Sequence, residues 1–239
     1  VRVTDMRIVG QDTQLDVTGV VNLHDSRIAI RTTGDANLAV LQGFVANVRS
    51  SGMAALSATF EGPLDDPALS GTLDITDGRI RHFALPHALE NISGALQFDT
   101  RGVTLDGLTG RLARGDVKFG GRIDKQGYLP GRLDITMVGK GMRLRLVEGM
   151  QSLVDADLSL QGTMESATLS GRVTVNDAVY ARPFGSSGGL PDLATKEAVP
   201  VTAPAEPTIP LRYDIRITAP QTLQVRNSSL RLTASADLQ

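Results

Sequence analysis

Apolar and polar residues alternate with a period of two through most of this chain, and that pattern decides what it can fold into. Successive side chains of a β-strand point to opposite faces, so strict alternation describes a strand with one buried and one wet side. In "RLDITMVG", Leu133, Ile135 and Met137 fall on one side and Arg132, Asp134 and Thr136 on the other. The same holds for "QLDVTGVVNL", "RIAIRTTG", "GALQFD", "GVTLDGL", "GDVKFGGRI", "DADLSLQG" and "LRYDIRITAP". Asp77-Gly78, Asp106-Gly107 and Asn176-Asp177 supply tight-turn residues between such runs and are expected to close hairpins. The predicted product is an all-β chain, a long antiparallel meander with one apolar face.

Three segments depart from the alternation. Over 37–52, Leu38, Leu41, Val45 and Val48 recur at helical spacing, and over 142–154 Leu146, Met150 and Leu153 do the same more weakly. One or two short helices are therefore expected. Residues 184–210 concentrate Gly, Ser, Pro and Ala and read as an exposed, mobile loop inside the sheet. The chain also repeats itself: "LSGTLDITDGRI" at 69–80 returns 100 residues later as "LSGRVTVNDAVY" at 169–180, within related blocks at about 38–86 and 142–183. The expectation is one elongated β segment over 1–239, itself part of a longer chain, in which the repeat lengthens a single structure. Gly71 and Gly171 would enter equivalent strands, and Asp77 and Asp177 would turn the chain back.

Composition narrows the function classes. A net charge of -2 offers no concentrated basic face for nucleic acid. No run of about 20 apolar residues is present to span a membrane as a helix. Cysteine is absent, which excludes thiolate metal sites and a disulfide framework but leaves the compartment open. Aromatic residues make up 4% of the chain, without Trp, so the apolar side is aliphatic.

Chemistry-bearing motifs are sparse. His24, His82 and His87 have no carboxylates at ligand spacing, and His82 and His87 read as ordinary loop residues rather than a metal pair. Asp65-Asp66 before Pro67 is explained as a turn rather than a calcium site, and Asp155 and Asp157 as residues of a wet strand face. "GSSGG" at 185–189 lacks the Lys-Ser/Thr pair of a nucleotide loop. Lys140, Arg143 and Arg145 form a small basic cluster for which a lipid-headgroup contact is one reading, but a charged helix start or wet strand face is the favoured one. No cofactor is called for, and a polysaccharide-cleaving enzyme would need paired acids over a cleft, whereas these acids alternate onto the wet face.

The apolar face itself is left as the functional candidate. A sheet with one apolar side must pack on another sheet, lie under helices, or fold over into a trough. Roughly eleven residues per strand and turn would give on the order of 18 to 20 strands. On the pattern alone an ordinary sandwich core is the favoured reading, but at ~4.8 Å between strands this is a ribbon of ~90 Å, and that length shifts the balance toward an elongated form.

The stretch "LSGTLDITDGRIRHFALPHALENISGALQFDTRGVTLDGLTGRLARGDVKFGGRI" (69–123) resembles the recurring block of the TamB and AsmA-like proteins of bacterial envelopes. "LRYDIRITAPQTLQVRNSSLRLTASADLQ" (211–239) is similar to a later block of TamB. The resemblance implies an elongated antiparallel sheet folded into a hydrophobic groove, a β-taco, in a periplasmic portion of an inner-membrane-anchored protein. It implies phospholipid as cargo, an Omp85-class, TamA-like outer-membrane barrel as partner of the full-length protein, and an anchor that lies outside this segment. This segment would be an interior stretch of the groove.

An acyl chain that must slide needs an aliphatic lining, since each buried methylene contributes ~0.8 kcal/mol without regard to direction. The expected groove residues are Leu73, Ile75, Leu96, Phe98, Val103, Leu105, Val117, Phe119, Ile123, Leu133, Ile135, Met137, Leu158, Leu160, Val173, Val175, Ile215 and Ile217. The alternative is a scaffold that pairs its sheet edge with nascent outer-membrane strands by β-augmentation.

Overall fold

A computed structural model describes residues 2–43, 47–83, 86–127, 129–145, 150–180, 211–226 and 231–238. Among these residues thirteen strands form one sheet whose spatial order is the sequence order. They are β1 (Arg2–Gly10), β2 (Thr13–Asn22), β3 (Arg27–Asn37), β4 (Val48–Pro63), β5 (Ala68–His82), β6 (Leu89–Asp99) and β7 (Gly102–Leu112). Then follow β8 (Gly115–Gln126), β9 (Leu129–Leu144), β10 (Met150–Gly162), β11 (Ala167–Tyr180), β12 (Leu211–Arg226) and β13 (Arg231–Leu238). The result is an all-β, elongated open sheet, with one short helix among the described residues, between β3 and β4.

The strands are fewer and longer than the alternation suggested, and the reason is local. Asp77-Gly78, Asp106-Gly107 and Asn176-Asp177 do not close hairpins; each lies inside a strand. At each the register slips, between Ile75 and Gly78, between Leu105 and Leu108, and between Val175 and Asp177. These pairs make β-bulges, for which a left-handed residue is as useful as for a turn. Asp77 indeed has φ 49° and Gly107 φ 63°. Because the chain runs on through them, strands reach 16 residues, and twelve inter-strand steps of ~4.8 Å span about 58 Å rather than ~90 Å.

Neither helical segment forms as expected. Leu38–Gly43 is a 3₁₀ helix, but Val48 already begins β4. Over 142–154, Met142–Leu144 ends β9 and Met150 opens β10, with 146–149 outside the described residues. Helical spacing over so few residues is outweighed by the neighbouring strands, whose backbone groups need partners.

Every neighbouring pair is antiparallel except β11 and β12, which pair in parallel, Leu169 opposite Tyr213 and Val173 opposite Ile217. A parallel neighbour requires a crossover of a dozen or more residues. Residues 181–210 connect the two strands in sequence, so the low-complexity stretch falls at the one junction where a long connection is obligatory. The expected loop at 184–210 lies outside the described residues.

The bulges cross the sheet obliquely. Gly52 in β4, Asp77-Gly78 in β5, Asn91 in β6, Asp106-Gly107 in β7, Lys140-Gly141 in β9 and Asn176-Asp177 in β11 mark register slips that form a seam across the sheet. Bulges bend a strand and increase its twist. The largest fully buried side chains, Ile92, Met142 and Val117, all lie beside this seam. A flat open sheet would leave them in water; Ile92 lies beside Leu38 of the short helix, and the bend of the apolar face buries Val117 and Met142 in one cluster with Val154 and Ala156. Gly139 makes the bend possible, since a Cβ at that position would stand 2.6 Å from the Met142 methyl.

The 100-residue repeat is a repeat of register. Leu56 opposes Leu73 and Ala58 opposes Gly71 in β4–β5, while Ala156 opposes Val173 and Leu158 opposes Gly171 in β10–β11. Gly71 and Gly171 have φ 143° and 136°. Each lies three or four residues inside its strand rather than at its entry.

Candidate functional site

Residues directly opposite one another in a sheet share a face, so the pairing places the apolar side chains without ambiguity. Leu15, Gly34, Leu56, Leu73, Leu96, Leu105, Gly121, Ile135, Leu160 and Leu169 face one another in succession from β2 to β11. A parallel row, Val17, Thr32, Ala58, Gly71, Phe98, Val103, Ile123, Leu133, Gly162 and Ala167, runs two residues away on the same face. Two further rows add Ile75, Phe119, Met137, Leu158 and Ile215, then Val117, Val173 and Ile217, with Val175 two residues beyond Val173. All eighteen residues named from the sequence thus lie on one face.

That face is covered only along the seam. Val117, Met142, Val154 and Ala156 form a buried cluster, against which Leu89, Leu112, Phe119, Met137, Leu144, Leu158 and Val173 pack. Of the eighteen, only Val117 and Leu133 are buried; the others retain partial exposure. Their alternates Asp74, Gln97, Lys118, Asp134 and Asp157 are exposed on the outer face. The apolar side is therefore a groove whose walls remain accessible, not the filled interior of a sandwich.

The 3₁₀ helix enters this groove. Leu38 is 5% exposed, and its Cδ1 would stand 3.1 Å from a Cβ at Gly78, with Ile75 and Ile92 alongside. Ser50 Oγ–H donates to the Leu38 carbonyl at 2.8 Å and Gln42 Nε2–H to the Ser50 carbonyl at 2.9 Å, which fastens the helix to β4. It caps the apolar face over β4 to β6 and leaves the face from β7 onward uncovered by any described element.

The strand ends form two rims of unlike charge. One, built from the starts of β4, β6, β8 and β10 and the ends of β5, β7 and β9, carries Arg49, Arg81, Arg111, Arg114, Arg143 and Arg145. Its described acids, Glu90 and Asp116, are paired with Arg79 and Arg111. Beside Arg114, Arg143 and Arg145 lies a cleft of about 550 Å³ whose wall also includes Pro86, His87, Ala113, Leu144 and Gln151. A second cleft of about 370 Å³ lies by Arg49, Arg79, Arg81 and Phe83, where the Arg49 guanidinium sits 5.7 Å from the Phe83 ring centre.

The opposite rim carries Glu61, Asp65, Asp66, Asp99, Asp124 and Glu165. There Arg122, 25% exposed at its side chain, bonds Asp99 at 2.5 and 3.0 Å, Asp124 at 2.9 Å and Thr104 at 3.0 Å, tying β6, β7 and β8 together. The Arg122 guanidinium, with the Arg101 backbone N–H, holds the Asp99 carboxyl well below the usual carboxylate range. Asp66 of the Asp65-Asp66 pair accepts from Lys125 at the end of β8.

Other residues singled out from the sequence take structural places. Asp155 is more than a solvated strand residue: it accepts from the Gly141 N–H at 2.7 Å and from Asn176 Nδ2–H at 2.8 Å, and these bonds lower its pKa. His87 Nε2 accepts from the Arg145 N–H at 3.2 Å. Among the described residues no group of three or more His, Asp or Glu could hold a metal ion. Among them, too, no helix is long and apolar enough to cross a membrane. Sequence reasoning missed the rim polarity and the Leu38 cap. The first was present in the signs of the strand-end charges; the second left no signal distinct from a helix.

The family model described as the TamB C-terminal domain matches residues 106–239, which is more than half of the chain and includes β8 to β13. No curated protein and no solved structure shows significant similarity to the sequence. An open β-groove with an aliphatic face and this match together identify the chain as a member of the TamB family, a TamB-type protein of the cell envelope.

Proposed function

We propose that this chain is a stretch of a lipid conduit, in which acyl chains of phospholipid lie on the apolar face and advance along it, perpendicular to the strands. The observation that supports this most is the row from Leu15 to Leu169, continuous over ten strands yet only partly buried. An interior that existed only for stability would be close-packed. Here the side chains are aliphatic, carry no hydrogen-bond requirement, and leave room for a guest of the same character. In this reading the chain is a non-enzymatic periplasmic portion of an inner-membrane-anchored protein, whose full length meets a TamA-like barrel in the outer membrane.

A photo-crosslinking residue in place of Ile135 should capture phospholipid, and one in place of Asp134 on the outer face should not. Equal labelling at the two positions would reject the conduit.

A second reading, an assembly scaffold, rests on a different feature, the open form of the sheet, whose described strands do not close into a barrel. Unpaired edge amides and carbonyls can take up a further strand. Crosslinks from strand-edge positions that recover polypeptide, with no lipid from Ile135, would favour an assembly scaffold over a conduit.

A further inference from the structure

We propose that the cleft beside Arg114, Arg143 and Arg145 is a phosphodiester site, which takes the headgroup of a glycerophospholipid whose acyl chains lie on the adjoining apolar face. This rests on the conduit reading and adds to it a recognition element. Three features of the cleft carry it.

First, its cations are not neutralised from within. Arg79, Arg111, Arg122 and Arg216 each pair with a carboxylate, whereas Arg114, Arg143 and Arg145 meet no carboxylate among the described residues. Three guanidiniums around one concavity repel one another and favour a shared anion, and the planar fork of Arg suits two oxygens of a phosphate.

Second, the backbone beneath them is fixed. The Arg143 N–H donates to the Ala113 carbonyl at 2.9 Å, and the Arg145 N–H to His87 Nε2 at 3.2 Å. These bonds join the end of β9 to the β7–β8 turn and to the segment before β6, so the three arginines are presented together.

Third, the cleft is continuous with the groove. Leu144 is part of its wall and also packs against the Val117, Met142, Val154 and Ala156 cluster. A diacyl lipid is a phosphodiester joined to two aliphatic chains, and this place offers those two chemistries in contact. The acidic opposite rim disfavours the phosphate, so the headgroup has one side on which to sit.

The test compares two fluorescent lipids with identical dioleoyl chains, phosphatidylglycerol and diacylglycerol, bound to the whole chain in mild detergent. The wild type should bind phosphatidylglycerol about tenfold more tightly, the worth of one charge-assisted contact. Combining R114Q, R143Q and R145Q should erase that preference and leave diacylglycerol binding unchanged, with far-ultraviolet circular dichroism reporting the fold. Should the triple variant not fold, R145Q alone should lower the preference. Equal affinities in the wild type, or a preference that survives these substitutions, overturn the site and leave the groove standing. Binding of neither lipid overturns both. Inorganic phosphate that binds as tightly as phosphatidylglycerol also overturns the proposal, by making this a site for free phosphate.

Discussion

Asp155 of β10 accepts a 2.7 Å hydrogen bond from the backbone N–H of Gly141 in β9. Gly141, at φ 66°, belongs to the register slip between β9 and β10, where the ladder leaves an amide without its regular partner. The carboxylate satisfies that amide from the outer face, and Asn176 at the β11 bulge binds its second oxygen. One side chain thus joins the bulges of β9 and β11 and stabilises the bend that covers Met142.

Asp155→Ala should therefore cost about 1 to 2 kcal/mol in urea unfolding, as a charge-assisted bond does when its amide is left behind. Because those bonds depress the folded pKa of Asp155, its stabilisation is complete above the unfolded value of about 3.9 and is lost as pH falls through the folded one. The wild type should lose stability on acidification below about pH 4 more than Asp155→Asn, which has no proton to take up there. Parallel pH profiles for the two proteins would remove this role.

Gly71→Ala and Gly171→Ala should be costly to similar extents. A Cβ would stand 2.0 Å from the Ser57 carbonyl oxygen in the first and 2.1 Å from that of Asp157 in the second, with φ in a range that side chains rarely adopt. Each substitution should lower the unfolding free energy by about 3 kcal/mol or more. A loss at one position only would mean that the repeated register is not a repeated constraint.

Leu38→Ala should destabilise by about 2 to 4 kcal/mol, the range for emptying a buried leucine site. It should also loosen the 3₁₀ helix over β4 to β6, which faster amide exchange at 38–43 would report. Unchanged exchange would show that the hydrogen bonds of Gln42 and Ser50 hold the helix without its apolar anchor.

Ile135→Asp should reduce co-purified phospholipid several-fold, because an ionised carboxylate on the groove wall must be desolvated by any acyl chain that covers it. Thr136→Asp, one residue away on the outer face, should leave lipid content unchanged. Native mass spectrometry of both proteins decides it.

The strand faces were readable in the sequence because period two is a geometric property of a single strand. Leu133, Ile135 and Met137 needed no knowledge of neighbours to be assigned to one side. Asp77-Gly78 and Asn176-Asp177 show where this local reading ends. Asp and Asn with a Gly or Asp beside them serve a turn and a bulge equally well, and only the pairing of both flanking strands selects the bulge. Leu38 and Leu41 had helical spacing and did form a helix, but Val48 at the same spacing joined β4, because the edge of β5 was there to pair with it. The basic cleft required three strand ends to be brought together, and the chain spacing of Arg114 from Arg143 and Arg145 conveys nothing about that.

The identity of strand order and sequence order bears on how such a sheet comes into being. Each strand finds its partner in the segment made just before it, so closing each hairpin costs only a short loop and the search is local. A chain delivered progressively can add strands to a growing end and never holds an early one open for a late one. The single delay falls at β12, which must wait for the thirty residues 181–210 before it can lie alongside β11. Growth should pause there, with the far edge of β11 briefly exposed, and that moment is when this sheet is most open to pairing with another chain.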